Sequence, residues 1–213
     1  LCVPYLAKWG YQKVFFEGEH LRLSELVINT GGTFSQSEIA EIAQVKTGIP
    51  LLTLDLKDIK YRLESLPEIE SVEVVRQLPN QLAITVSERQ ALAWLSSPDH
   101  QVRPLREGGL LLDHSGVVFP CREINEPLLV LPTIEISGLP TPVSGKAFDS
   151  FQVSEGLELI KSSEIIFNEH DLRVRDIRSL GTWGLLCRYG NDLLVTFDIN
   201  RVKTGIGDLG RIL

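Results

Sequence analysis

The chain has 213 residues, a net charge of −7, 43% hydrophobic and 23% charged residues. That length exceeds one typical domain, the composition is able to bury a core, and the acidic balance argues against nucleic acid, whose phosphates require a basic surface. Cys2, Cys121 and Cys187 are too few and too scattered for a disulfide scaffold or a CxxC metal site. A Cys121–Cys187 bridge is open in an oxidising compartment, but two buried free thiols are the preferred reading. No run approaches the ~18 apolar residues of a membrane helix. There is no Met, even at position 1, so the chain is expected to be part of a longer protein, and a missing anchor says nothing of a cytosolic home.

Residues 1–20 mix aromatics and charges (Tyr5, Trp9, Tyr11, Phe15, Phe16) without a clear period and are read as a membrane-proximal approach segment. From Leu21 the pattern becomes orderly. Leu26 and Ile28 alternate with Glu25, Val27 and Asn29, which predicts a strand closed by Gly31-Gly32. Ser35 and Glu38 stand at capping-box spacing, where each side chain satisfies a free backbone N–H at a helix start. Ile39, Ile42 and Ala43 give that helix an apolar stripe, and Gly48 is placed where it should end. Asp55 opens a second helix carrying Leu56, Ile59, Leu63 and Leu66 on one side, stopped by Pro67. A hairpin follows, in which Val72 and Val74 alternate with charges, Leu78-Pro79-Asn80 turns, and Leu82, Ile84 and Val86 alternate with Ala83, Thr85 and Ser87. Two helical stripes and one apolar sheet face must bury one another, so the two helices are expected on one side of a three-stranded sheet.

Beyond Glu88 the texture changes to short apolar runs broken by Pro98, Pro104, Gly108-Gly109, Gly116, Pro120 and Pro132. Asp113-His114-Ser115-Gly116 makes a hairpin turn between Leu110-Leu111-Leu112 and Val117-Val118-Phe119. Residues 148–163 read as a helix weakened by Gly156. A strand is predicted around Leu172, Val174 and Ile177. A hairpin pairs Trp183, Leu185, Cys187 and Tyr189 with Leu193, Val195 and Phe197, and a closing amphipathic helix carries Val202, Ile206, Leu209 and Leu213.

The stretch Val74-Val75-Arg76-Gln77-Leu78-Pro79-Asn80-Gln81-Leu82-Ala83-Ile84-Thr85-Val86-Ser87-Glu88-Arg89, followed by Ala93-Trp94, resembles the signature that ends the POTRA domain of FtsQ/DivIB cell-division proteins. Gly48-Ile49-Pro50-Leu51-Leu52-Thr53-Leu54-Asp55 is similar to the family's G-x-N-L-L-x-L-D, with Pro50 in place of Asn. Leu66-Pro67-Glu68-Ile69 is similar to its L-P-W-V, with Glu68 in place of Trp. Leu111-Leu112-Asp113-His114-Ser115-Gly116-Val117-Val118-Phe119 is similar to L-V-D-x-x-G-x-V-F, and Leu131-Pro132 to the L-P that follows. The resemblance implies an α+β chain: a POTRA domain (β-α-α-β-β, two helices on a three-stranded sheet) over 21–89, then a mainly antiparallel β domain with one or two flanking helices over 90–213, lacking the family's final strand. It further implies the periplasmic side of a single-pass protein of the inner membrane, whose membrane helix is not in this chain. The implied function is non-enzymatic: a division scaffold that helps control septal peptidoglycan synthesis, with FtsB/DivIC-like and FtsL-like coiled-coil membrane proteins as partners. The family's contact with FtsB or DivIC uses the missing final strand and is not carried over.

No catalytic, cofactor or metal site is expected. Asp113, His114 and Ser115 are neighbours in one turn and cannot converge as a triad. His20, His100 and His170 are isolated, and no phosphate loop is present. The positive feature is an edge: the outer strand around Val72, Glu73, Val74, Val75 and Arg76 would accept another chain's strand through main-chain hydrogen bonds. Arg76 and Arg89 are read chiefly as structural, paired with Glu73 or Glu88, and Glu88, Arg89 and Trp94 as the domain junction. The alternative function is a POTRA polypeptide-binding module of an outer-membrane assembly or secretion system, which would call for tandem copies or a barrel.

Overall fold

The computed structural model describes residues 21–167, 172–190 and 192–212, so the segment read as a membrane approach, and His20 and His170, lie outside the described residues. Chain contacts divide the molecule into two compact units between Arg89 and Gln90.

The first unit is organised by its central strand. Strand β1 (Glu25–Thr30) runs parallel to β3 (Gln81–Glu88), and β2 (Ile69–Gln77) pairs antiparallel on the other side, giving the order β1-β3-β2. Leu82, Ile84 and Val86 of β3 are all buried, and their alternates lie on the opposite face. Period two thus selects the face that meets the helices. Helices α1 (Gln36–Ala43) and α2 (Leu56–Glu64) cover it with Ile39, Ala43, Ile59 and Leu63 in one buried cluster.

Both helices start where their capping residues direct. Ser35 Oγ accepts from the Glu38 N–H at 3.2 Å while the Glu38 carboxylate accepts from the Ser35 N–H at 2.8 Å. Asp55 Oδ1 accepts from the N–H groups of Lys57 and Asp58 at 2.9 and 3.2 Å. The ends differ from expectation. Helix α1 stops at Ala43, because Gln44 turns left-handed (φ 55) and its N–H folds back on the Glu41 carbonyl at 3.0 Å. Gly48, at φ +90, serves another purpose: its N–H reaches the Leu23 carbonyl at 2.6 Å, tying the chain before β1 to the loop after α1. Helix α2 stops at Glu64, short of Leu66.

The second unit is a seven-stranded sheet of order β10-β9-β8-β7-β4-β5-β6. Its strands are β4 (Ala91–Ser96), β5 (Leu110–Asp113), β6 (Val118–Pro120), β7 (Thr133–Glu135), β8 (Val174–Ser179), β9 (Gly184–Tyr189) and β10 (Leu194–Asp198). Four pairings are antiparallel, but β4 with β7 and β7 with β8 are parallel, so an antiparallel sheet has a parallel centre. Strand β4 is apolar and buried on both faces, as central strands are. Ala93 and Leu95 join the main core, while Trp94 faces a smaller cluster with Leu111, Phe119 and Cys121. The short helix α3 (Glu126–Leu129), capped by Asn125, lays Leu128 on that smaller cluster.

Helix α4 (Phe151–Ile166) starts at Ser150 and buries Val153, Leu157 and Ile160 in the main core. Gly156, which weakens the helix in isolation, sits where a Cβ would come 3.3 Å from Ile134 Cδ1. Helix α5 (Val202–Ile212) lies against α4. Among the described residues no helix is long and apolar enough to cross a membrane.

Glu88, the last residue of β3, closes the first unit. Its carboxylate accepts from the Thr33 N–H and hydroxyl at 2.8 and 3.0 Å and from the Phe34 N–H at 3.1 Å. Gly32 approaches so closely that a Cβ would stand 2.2 Å from Glu88 Oε2. Glu88→Ala should therefore lower the stability of this unit by about 1–3 kcal/mol through lost charge-assisted bonds. Gly32→Ala should act in the same direction by pushing the carboxylate away. Urea titration followed by circular dichroism measures both, and unchanged midpoints would show that other contacts hold the loop.

Candidate functional site

Three strands make two edges, and the edges differ. On β1 the Ile28 carbonyl accepts from Gln36 Nε2 at 2.9 Å, and the residues before the strand bond to the loop around Gly48 and Ile49. On β2 the Val72 N–H donates to Glu64 Oε1 at 3.2 Å, which turns that amide away from β3. Alternation then fixes the rest: Glu73, Val75 and Gln77 face β3, and Val74 and Arg76 turn outward with Val72. Among the described residues no hydrogen bond meets the outward N–H groups of Val74 and Arg76. Glu70, Glu73 and Val75 are exposed, while Val72 is buried and Val74 partly so.

The side chains read from the sequence as one edge are thus brought together on one strand, but they serve different ends. Arg76 Nε donates to the Leu51 carbonyl at 3.1 Å, and its Nη2 donates to the Leu54 carbonyl. It therefore pins the segment before α2, and no ion pair joins it to Glu73 among the described residues. A guanidinium fork suits two converging carbonyls as well as a carboxylate. Arg89 Nε donates to the Pro67 carbonyl at 3.0 Å, and its N–H to the Glu68 carbonyl at 2.8 Å. Glu88 holds the loop after β1, as described. Trp94 is fully buried, with its Nε1 donating to the Leu128 carbonyl at 2.7 Å. Glu64 was not legible as a site residue: its helical neighbour Lys60, at 3.5 Å, is all that its sequence position suggests.

The turn at 113–116 is structural. Asp113 Oδ1 accepts from the N–H groups of Ser115 and Val117 at 2.8 and 2.9 Å, and the His114 carbonyl accepts from Lys161 Nζ at 2.7 Å. His100 bonds to the Leu139 carbonyl at 2.7 Å. No group of three or more His, Cys, Asp or Glu side chains could hold a metal among the described residues.

A β-α-α-β-β unit with helices on one face and an open second strand defines a POTRA-domain protein, and the family model for the FtsQ-type POTRA domain matches residues 21–89. Residues 21–89 thus carry an FtsQ-type POTRA domain, and the chain is similar to cell division proteins FtsQ and DivIB. The cell division protein FtsQ of Geobacter sp. (strain M21) is 41% identical over 75 residues, 34% of this chain and 27% of that protein. FtsQ of Mycobacterium tuberculosis (strain ATCC 25618 / H37Rv) is 28% identical over 141 residues, 66% of this chain and 41% of that protein. The cell division protein DivIB of Staphylococcus aureus (strain NCTC 8325 / PS 47) is 32% identical over 97 residues, 46% of this chain and 22% of that protein. The matched stretch thus spans less than half the length of each relative.

The cysteines within the described residues are both free and buried. They lie in separate clusters, Cys121 with Trp94 and Phe119 and Cys187 in the main core, so the bridge left open by the sequence does not form here. Burial pushes the Cys187 thiol up to about 12, and burial together with the charge of Glu107 raises that of Cys121. Tyr189 is raised as well by burial. The unfolded chain releases a thiol proton near pH ~8.5, whereas the folded chain retains it, so this contribution to stability is complete below ~8.5 and is lost as pH rises toward the folded value. Between pH ~8.5 and ~10 the unfolding free energy should fall, and Cys187→Ala should flatten the slope. Thiol reagents at pH ~8 should leave both groups unmodified until the chain unfolds; rapid labelling of the folded protein would contradict the burial.

Proposed function

We propose that this chain works as a non-enzymatic scaffold of bacterial cell division, on the extracytoplasmic side of the inner membrane, and helps control septal peptidoglycan synthesis by recruiting other division proteins. The observation that carries this reading is the outward row on β2 within an FtsQ-type POTRA domain, open at the N–H groups of Val74 and Arg76 among the described residues. Main-chain hydrogen bonds from such a row give affinity to any extended segment of compatible side-chain spacing. The relatives' own names, cell division protein FtsQ and DivIB, support the division setting. Extended segments of FtsL-like coiled-coil membrane proteins are the partners that suit this edge, while FtsB/DivIC-like proteins are partners whose family contact uses the final strand missing from this chain. Residues 21–89 serve as the recruitment module and 90–213 as a second module with its own core. Attachment to the membrane follows the single-pass plan of the family. The Asp113, His114 and His100 contacts are consumed within turns and loops, which supports a role without catalysis.

The informative substitution is Val74→Pro. It removes an outward N–H and leaves the bonds of Glu73, Val75 and Gln77 to β3, whereas a proline at Glu73 would strike the inward ladder. Val74→Pro should weaken capture of an extended segment from an FtsL-like partner about tenfold while the thermal transition persists. A folded Val74→Pro chain that binds the partner as wild type does would remove the edge from consideration. Turnover of peptidoglycan by the purified chain would overturn the non-enzymatic role.

A further inference from the structure

We propose that Glu64 is a built-in latch on the β2 edge, which an incoming strand must displace, and that the strand so admitted is basic. The proposal rests on β2 as a strand acceptor and adds what governs entry. A strand laid along β2 would seek the N–H groups of Val72, Val74 and Arg76, and the first already donates to Glu64 Oε1 at 3.2 Å. Among the described residues no hydrogen bond meets the other two. Arg76 leaves its backbone available because only its guanidinium is engaged, with the carbonyls of Leu51 and Leu54. Pairing can therefore begin at the Arg76 end and proceed to Val74, and the last bond requires the carboxylate to give way. Glu64 lies at the end of α2 with a partly exposed side chain, so it can swing out without unpacking the core.

The same geometry selects the occupant. Besides the Val72 N–H, Glu64 Oε1 has only Lys60 Nζ at 3.5 Å among the described residues, an exposed pair worth little in water. Glu70 and Glu73 are exposed along the strand, and its one cation, Arg76, is already directed at carbonyls. An acidic segment meets repulsion along this rim, while a Lys- or Arg-bearing segment meets partners for its charges.

The test uses the full chain, two synthetic peptides in which valine alternates with lysine or with glutamate, and the variants Glu64→Ala and Val74→Pro, read by amide NMR. Without peptide, Glu64→Ala should raise the exchange rate of the Val72 amide about tenfold. At high salt, where exposed charges are screened, the lysine peptide should bind Glu64→Ala about tenfold more tightly than wild type. At low salt wild type should prefer the lysine peptide to the glutamate peptide. An unchanged Val72 exchange rate, equal affinities at high salt, or no preference for lysine overturns the latch and leaves the edge standing. If the lysine peptide shifts the β2 amides of Val74→Pro as strongly as those of wild type, or shifts none in any chain, the edge itself fails and the latch with it.

Discussion

A strand with only one neighbour turns every second N–H and C=O away from its sheet, and these groups must be met by something. Much of the first unit follows from that constraint. On β1 the need is answered at Ile28 by Gln36 and before the strand by the Gly48 turn. On β2 it is answered once, by Glu64, and then left open at Val74 and Arg76. The second unit shows a fuller solution: the outer side of β6 is closed, with the Gly145 N–H donating to the Val118 carbonyl at 2.7 Å and the Val118 N–H to the Lys146 carbonyl at 3.0 Å. The chain thus closes the β6 edge with a loop, meets one β1 carbonyl with a glutamine, and leaves the Val74 and Arg76 N–H groups of β2 without a hydrogen bond among the described residues.

Long-range contacts in the first unit come mostly from side chains meeting backbone. Arg76 holds two carbonyls, Glu88 two N–H groups, and Arg89 the Pro67 carbonyl. Charged groups bond backbone more strongly than neutral ones, and bonds of this kind fix loops that make no sheet of their own. The ion pairs on α2, Arg62 with Asp58 and Lys60 with Glu64, lie on the surface and add little to stability. The Glu64 carboxylate of the second pair lies at the end of the helix and also accepts from the Val72 N–H at 3.2 Å.

Elements governed by local chemistry were legible in the sequence. Ser35 and Glu38 announced α1, Asp55 announced α2, and the alternation of Leu82, Ile84 and Val86 identified the buried face of β3. What was not legible depends on partners distant in the chain. Gly48 looked like a helix terminus because glycines often are, yet its conformation belongs to a turn that bonds Leu23. The pairing of Arg76 with carbonyls cannot be read from charge patterning, which points to Glu73. The parallel centre of the larger sheet joins β4, β7 and β8, whose brief apolar runs carry no mark of direction. That β2 is an edge was expected from the resemblance to POTRA sheets, while Glu64 required knowing that the end of α2 comes back to Val72.

The parallel pairing of β1 with β3 also sets an order of events during synthesis. Thr33 meets Glu88 across 55 residues, and β1 has no other strand to join. At roughly 5–20 residues per second, β1 emerges several seconds before its neighbour is complete. Helix α2 and the β2–β3 hairpin are closer in sequence and able to assemble on their own schedule, because short loops close at lower entropic cost. Pairing of β1 therefore waits for β3, while α1, which follows β1 directly and packs against it, is available to Leu26 and Ile28 long before then.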